Sequence, residues 1–175
     1  MPITRRDTLG ALVASFSLAA GSGIVRAATP VLPLPKGKPV LVVSGRITVT
    51  NLGKTAVFDM PTLEALGLAS ITTGTPWDQG KVTFTGVPLT TLLGFLGANG
   101  TTLVASALND YSAELPISDF AKYHTLLATR RNGQYMPVSD KGPLFIVYPF
   151  DSDPDLRQQT YYGRSVWQIN KLTVQ

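Results

Sequence analysis

From Val40 to Gln175 the chain is a succession of short apolar runs, rich in β-branched residues and repeatedly broken by Gly, Pro or Asn. Runs of roughly four to eight residues between breakers specify strands, whereas a globular helix needs a longer 3.6-residue period. "VLVVSGRITVTN" (Val40–Asn51) predicts a strand with a bulge, or two short strands, interrupted at Ser44-Gly45. "TAVFDM", the run from Ile71, Val82–Thr85, Thr102–Leu108, Tyr111–Leu115 and the run from His124 predict further strands. Gly142–Phe150 is almost continuously apolar and predicts a strand buried on both faces. Asn109-Asp110 and Asn132-Gly133 sit where tight hairpins belong.

Helical spacing occurs in few places. Met60–Gly67 has Pro61 in a first helical turn, Leu63 and Leu66 on one face, and Gly67 as a stop. Leu89, Leu92, Leu93 and Leu96 fall at i, i+3, i+4 and i+7. A third turn, "ISDFAKY", has Ser118 as its predicted cap. Residues 151–163, "DSDPDLRQQTYYG", predict a polar excursion, and "RSVWQINKLTVQ" a long closing strand. On that strand Val166, Gln168, Asn170, Leu172 and Val174 share one face, and Trp167, Ile169, Lys171 and Thr173 the other. Neither face is cleanly apolar, so the pattern leaves the core face open. The expectation is an α+β domain of mainly antiparallel or mixed β-sheets with two or three short helices.

The N-terminus reads differently. Arg5 and Arg6 precede an apolar run from Leu9 to Val25, and Val25-Arg26-Ala27 is a small-residue cleavage pattern. "TRRDTLG" resembles a twin-arginine export signal, except that Thr8 stands where a bulky apolar residue is usual; an ordinary secretory signal is the alternative. Residues 1–27 are therefore expected to be a removed signal peptide, with a periplasmic mature chain and no stable membrane anchor. Residues 28–39 form a Pro-rich extended leader, and 40–175 a single domain. Cleavage after Ala27 leaves 148 of the 175 residues, enough to bury a core without disulfides, in agreement with the absence of cysteine. It also removes three arginines and one aspartate, lowering the net charge from +4 to +2. With no basic run beyond Arg130-Arg131, nucleic acid is not an expected partner.

Four segments in order carry a resemblance. "WDQGKVTFTGVPLTTLLGFLGA", "TTLVASALNDYSAELPISDF", "TLLATRRNGQYMPVSDKGPLFIVYP" and "GRSVWQINKLTV" together resemble the sulfite-oxidase-type molybdopterin-binding domain family, over roughly Thr55 to Val174. The resemblance implies an α+β fold with a groove for molybdopterin. In active members a cysteine thiolate just before the Trp-Gly segment ligates molybdenum. Here that place is held by Ser70–Trp77, and the chain has no cysteine. Thr72, Thr73 and Thr75 offer only hydroxyls, which suit a soft metal poorly, so coordination of molybdenum by the protein is not expected.

The resemblance also marks candidate cofactor-binding residues. Trp77 would wall the groove or else plug a sheet end. Asn109, Asp110 and Tyr111 fall where a groove loop lies, although hairpin geometry explains the first two as well. Arg131, beside Arg130, would pair with a phosphate or lie at a solvated strand end. Arg164 and Ser165 correspond to residues that meet the cofactor phosphate, while Val166 replaces the family's usual lysine. Trp167 reads as core, and lone His124 as structural or exposed. Asp151, Asp153 and Asp155 lack the glycine and terminal Glu of a calcium loop and read as solvated.

No catalytic nucleophile and base emerge. The expected function is a ligand-binding or sensing module for a small anionic or pterin-like molecule, with room for a periplasmic protein partner, that has lost the thiolate-bound metal centre. One alternative is a molybdopterin-dependent oxidoreductase that holds its cofactor without cysteine. A second is an interaction protein that uses a sheet edge.

Overall fold

The computed structural model describes residues 31–175. The export signal, its cleavage pattern and the start of the leader lie outside the described residues. Two five-stranded sheets organise the domain. The first comprises β1 (Pro39–Gly45), β2 (Ala56–Asp59), β5 (Thr102–Ala107), β6 (Ser112–Pro116) and β10 (Ile169–Val174). Its order is β2-β1-β10-β5-β6, with β1 parallel to β10 and every other pair antiparallel. The second comprises β3 (Ala69–Gly74), β4 (Lys81–Pro88), β7 (Leu126–Arg131), β8 (Gln134–Tyr135) and β9 (Phe145–Val147). It runs β3-β4-β7, and β8 and β9 share the remaining edge of β7. Four short α-helices occur among the described residues: α1 (Met60–Glu64), α2 (Leu89–Phe95), α3 (Ser118–Tyr123) and α4 (Gln159–Arg164).

The main core lies between the first sheet, the inner face of the second and the helices. Leu89, Leu92, Leu93 and Leu96 all point into it, as their spacing predicts. A smaller core covers the other face of the second sheet and holds Val82, Phe84, Leu126, Ala128 and Met136. The run around β9 serves both. Leu144, Ile146 and Tyr148 enter the main core, while Phe145 and Val147 enter the smaller one. That alternation is why the segment is apolar throughout. Where β4 crosses β7 the register shifts at Thr85/Gly86, and a Cβ on Gly86 would lie 2.1 Å from the Leu127 carbonyl oxygen, so only glycine fits.

Three local expectations change. The closing strand spans only Ile169–Val174, and a register shift between Ile169 and Lys171 brings Ile169 onto the buried side with Leu172 and Val174. Strict alternation put these residues on opposite faces; a bulge reconciles them. Ser118 is the first helical residue rather than the cap, because Ile117 precedes it, held by its N–H to the Thr101 carbonyl. Residues 151–163 are not merely an excursion. Pro154–Leu156 form a 3₁₀ turn, with Asp153 accepting from the Asp155 N–H, and Leu156 is fully buried. Helix α4 follows.

The leader is docked rather than free. Leu32 is buried, and the N–H groups of Lys36 and Gly37 donate to Asp59 at 2.9 and 2.8 Å. Asp59 also caps α1 through Thr62. Hydrogen bonds from the Thr62 hydroxyl first, then from Gly37 and the Thr62 N–H, hold the Asp59 carboxyl far below the usual carboxylate range.

Candidate functional site

A cleft of about 410 Å³ opens where three segments converge. The β3–β4 loop contributes Pro76 and Trp77, the β5–β6 hairpin Asn109 and Tyr111, and α4 with its exit Gln159, Tyr162, Gly163, Ser165, Val166 and Trp167. Its volume lies within the usual range for small-molecule sites.

Trp77 is half-buried and packs against both cores. Its ring meets Trp167 at 5.3 Å and 77°, and Tyr162 at 6.0 Å and 74°. Edge-to-face contacts with Phe145 and Phe150 complete the cluster. Asp78 anchors the loop. Its carboxylate, 1% exposed, accepts from the Thr75 hydroxyl at 2.7 Å and pairs with Arg131, with the Lys141 ammonium at 3.7 Å. The Thr75 hydroxyl oxygen in turn accepts the Trp77 N–H.

On the opposite wall Asp110 takes φ +64° at the hairpin tip, and the Tyr111 N–H donates to the Asn109 side-chain oxygen. These are backbone reasons for Asn-Asp at a turn. The Tyr111 hydroxyl donates to the Gly163 carbonyl at 3.0 Å, tying the hairpin to α4.

The structure thus brings four of the seven candidates, Trp77, Asn109, Tyr111 and Ser165, to one cleft. Asp110 sits beside it, exposed, and does not line it. Arg164 is turned away: Nη1 donates to Asp119 at 2.9 Å, and the same carboxylate accepts from the Tyr148 hydroxyl. Burial, followed by the Asp119 charge, pushes the Tyr148 hydroxyl up, so it remains a neutral donor. Arg131 borders a separate depression near Asn132 and Tyr135, paired with Asp78 and with Asp140. Through Asp78 it braces the Trp77 loop. Arg130 is likewise committed, to Glu64 and Tyr135. Asp151, from the acidic stretch, accepts the Gly74 N–H, an Arg157 hydrogen bond and the Lys81 charge, bracing the same loop. His124 takes φ +54° after α3.

Sequence reasoning missed Gln159, Tyr162 and Gly163, because the segment before them is dense in Asp and Gln. The adjacent aromatics Tyr161-Tyr162 within that polar stretch were the available signal. Trp167 was read as core, yet it is half-buried and lines the cleft.

The donor set bears directly on a molybdopterin cofactor. The Thr72 hydroxyl pairs with that of Thr83 at 2.8 Å. The Thr73 hydroxyl donates to the Gly74 carbonyl and accepts the Asp151 N–H; Thr75 is bound to Asp78. All three hydroxyls are occupied, and no thiolate exists in the chain. Among the described residues no group of three His, Cys, Asp or Glu is placed to hold a metal ion. The Ser165 and Val166 N–H groups and the Ser165 hydroxyl donate to carbonyls of α4, so they do not offer a ready phosphate cradle. Among the described residues no Lys or Arg lines the cleft. The residues present do not fit a thiolate-held molybdenum centre.

One mixed and one antiparallel sheet with short helices make up a sulfite-oxidase-type molybdopterin-binding fold. The model of the oxidoreductase molybdopterin binding domain matches residues 57–151, more than half of the chain, and the chain belongs to that family. Among solved structures it is similar to the sulfane dehydrogenase SoxCD from Paracoccus pantotrophus. That match has a TM-score of 0.58 and 19% identity over 77% of this chain, a likeness of fold alone. The present chain covers 37% of that protein's chain. No curated protein matches it.

Proposed function

We propose that this chain is an exported, periplasmic binding or sensing module. On this reading it keeps the cleft of the molybdopterin-binding scaffold and has lost the thiolate-bound molybdenum centre. The observation that carries the reading is the fate of Ser70–Trp77. No residue there supplies sulfur, and the three threonine hydroxyls are taken up by neighbours in the fold. What remains accessible is aromatic and amide surface, which suits a small organic ligand better than an inorganic oxyanion.

Family membership favours a second reading, a molybdopterin-dependent oxidoreductase that holds its cofactor without cysteine. One preparation separates the two. The full chain, with residues 1–27, is expressed in a host that makes molybdopterin and purified from the periplasm. The binding reading expects no stoichiometric molybdenum and a small molecule released on denaturation, seen by mass spectrometry. One molybdenum per chain, or dye-linked redox activity, would overturn it in favour of the oxidoreductase. Recovery from the cytoplasm alone would overturn the export assignment.

A further inference from the structure

We infer that the cleft takes a methylated ammonium group, such as the head of a quaternary amine, in the corner formed by Trp77, Trp167 and Tyr162. The inference rests on the binding reading above and names its ligand class.

The first argument is shape. A flat heteroaromatic ring is held best between parallel walls, where both of its faces stack. Here the Trp77 plane stands at 77° to Trp167 and 74° to Tyr162. Near-perpendicular rings make a corner, and a corner fits a compact, rounded group rather than a plate.

The second argument is charge. An aromatic face carries the negative end of the ring quadrupole, and the surface that Trp77, Trp167 and Tyr162 leave beside their edge-to-face contacts in the cleft favours a cation. Trp77, Trp167 and Tyr162 are half-buried and Tyr111 is exposed, so all four keep surface for a ligand. Among the described residues no Lys or Arg lines that volume; Arg164 is held by Asp119, and Arg131 by Asp78 and Asp140.

The third argument is hydrogen bonding. A primary ammonium brings three donors that need strong acceptors. Among the described residues no carboxylate lines the cleft; its acceptors are neutral, the Asn109 and Gln159 amides, the tyrosine and Ser165 hydroxyls and a Gly163 carbonyl already accepting from Tyr111. A trimethylated nitrogen brings no donors and sheds its loosely held water at little cost.

Both tryptophans of the chain line the cleft, so intrinsic fluorescence reports on it directly. Choline is titrated against 3,3-dimethyl-1-butanol, its uncharged isostere, at constant ionic strength, with 6-hydroxymethylpterin as the flat-ring comparison. The expected result is saturable choline binding about tenfold tighter than the isostere. Tyr111→Leu, which removes one aromatic side chain from the cleft lining, should weaken choline binding by about threefold. Choline binding no tighter than the isostere overturns the inference. Pterin binding without choline binding also overturns it but leaves the binding reading intact. If none of the three binds and the native protein releases no small molecule, both fall.

Discussion

The aromatic cleft and the Arg131 depression differ in what their side chains are free to do. Around Arg131 the charges are matched: its guanidinium serves Asp78 and Asp140, while Lys141 lies near both carboxylates. Around Trp77 the rings touch one another edge to face yet remain only half-buried, and the polar groups between them are mostly neutral. Both regions are linked through one loop, because Asp78 follows Trp77 directly. The ionic region therefore sets the position of the aromatic one, and recognition is left to surface that the fold has not consumed.

The largest test of that division is Asp78→Ala. It leaves the exposed Asp140 as the remaining partner of Arg131 and Lys141 beside an emptied site, frees the Thr75 hydroxyl, and should cost about 1–3 kcal/mol in chemical denaturation. An unchanged midpoint would mean that the ionic region does not support the loop. Trp77→Leu comes next. Loss of ring area and edge-to-face pairs should lower stability by about 2 kcal/mol and reduce the fluorescence response to a cleft ligand to the part that Trp167 supplies. Ligand affinity equal to that of wild type would separate Trp77 from recognition.

A pH test sharpens the comparison on the ionic side. Burial pushes the Glu64 carboxyl up, but hydrogen bonds from Thr129, Arg130 and Tyr135 outweigh it and hold the group below its ordinary 4.5. A depressed folded value stabilises fully above the unfolded value and is lost as pH falls through the folded one. Wild type should thus exceed Glu64→Gln in melting temperature at neutral pH, and the gap should close below about pH 4. A gap independent of pH would assign the effect to packing. The smallest effect is expected from Tyr111→Phe, which loses one exposed hydrogen bond to Gly163 and should cost about 0.5–1 kcal/mol at most. A larger loss would make the hairpin–α4 tie structural.

Much of the fold was legible because local signals and tertiary demands agreed. The leucines of α2, the Asn132-Gly133 turn with φ of +49° and +80°, and the two-sided burial around β9 all follow from residue pattern alone. The failures have a common source in features that break periodicity. A one-residue bulge in β10 hides its core face, and α4 lies behind a stretch of aspartates whose role is to brace turns. Four of the seven candidate residues, which the resemblance puts on three separate segments, meet at one cleft. Arg131 is a phosphate candidate by its charge and Arg164 by the resemblance, and the sequence does not reveal that Asp78 and Asp119, distant along the chain, pair with them.

The docking of residues 32–37 onto Asp59 has a practical consequence for where this domain begins. Because a cap of α1 is shared with backbone donors of Lys36 and Gly37, limited proteolysis from the N-terminal side should stall near Leu32, before Val40. A chain trimmed to Val40 would take two donors from Asp59 and uncover the apolar floor beneath Leu32. The prolines of this stretch then serve as a fastened hem, not as a tether.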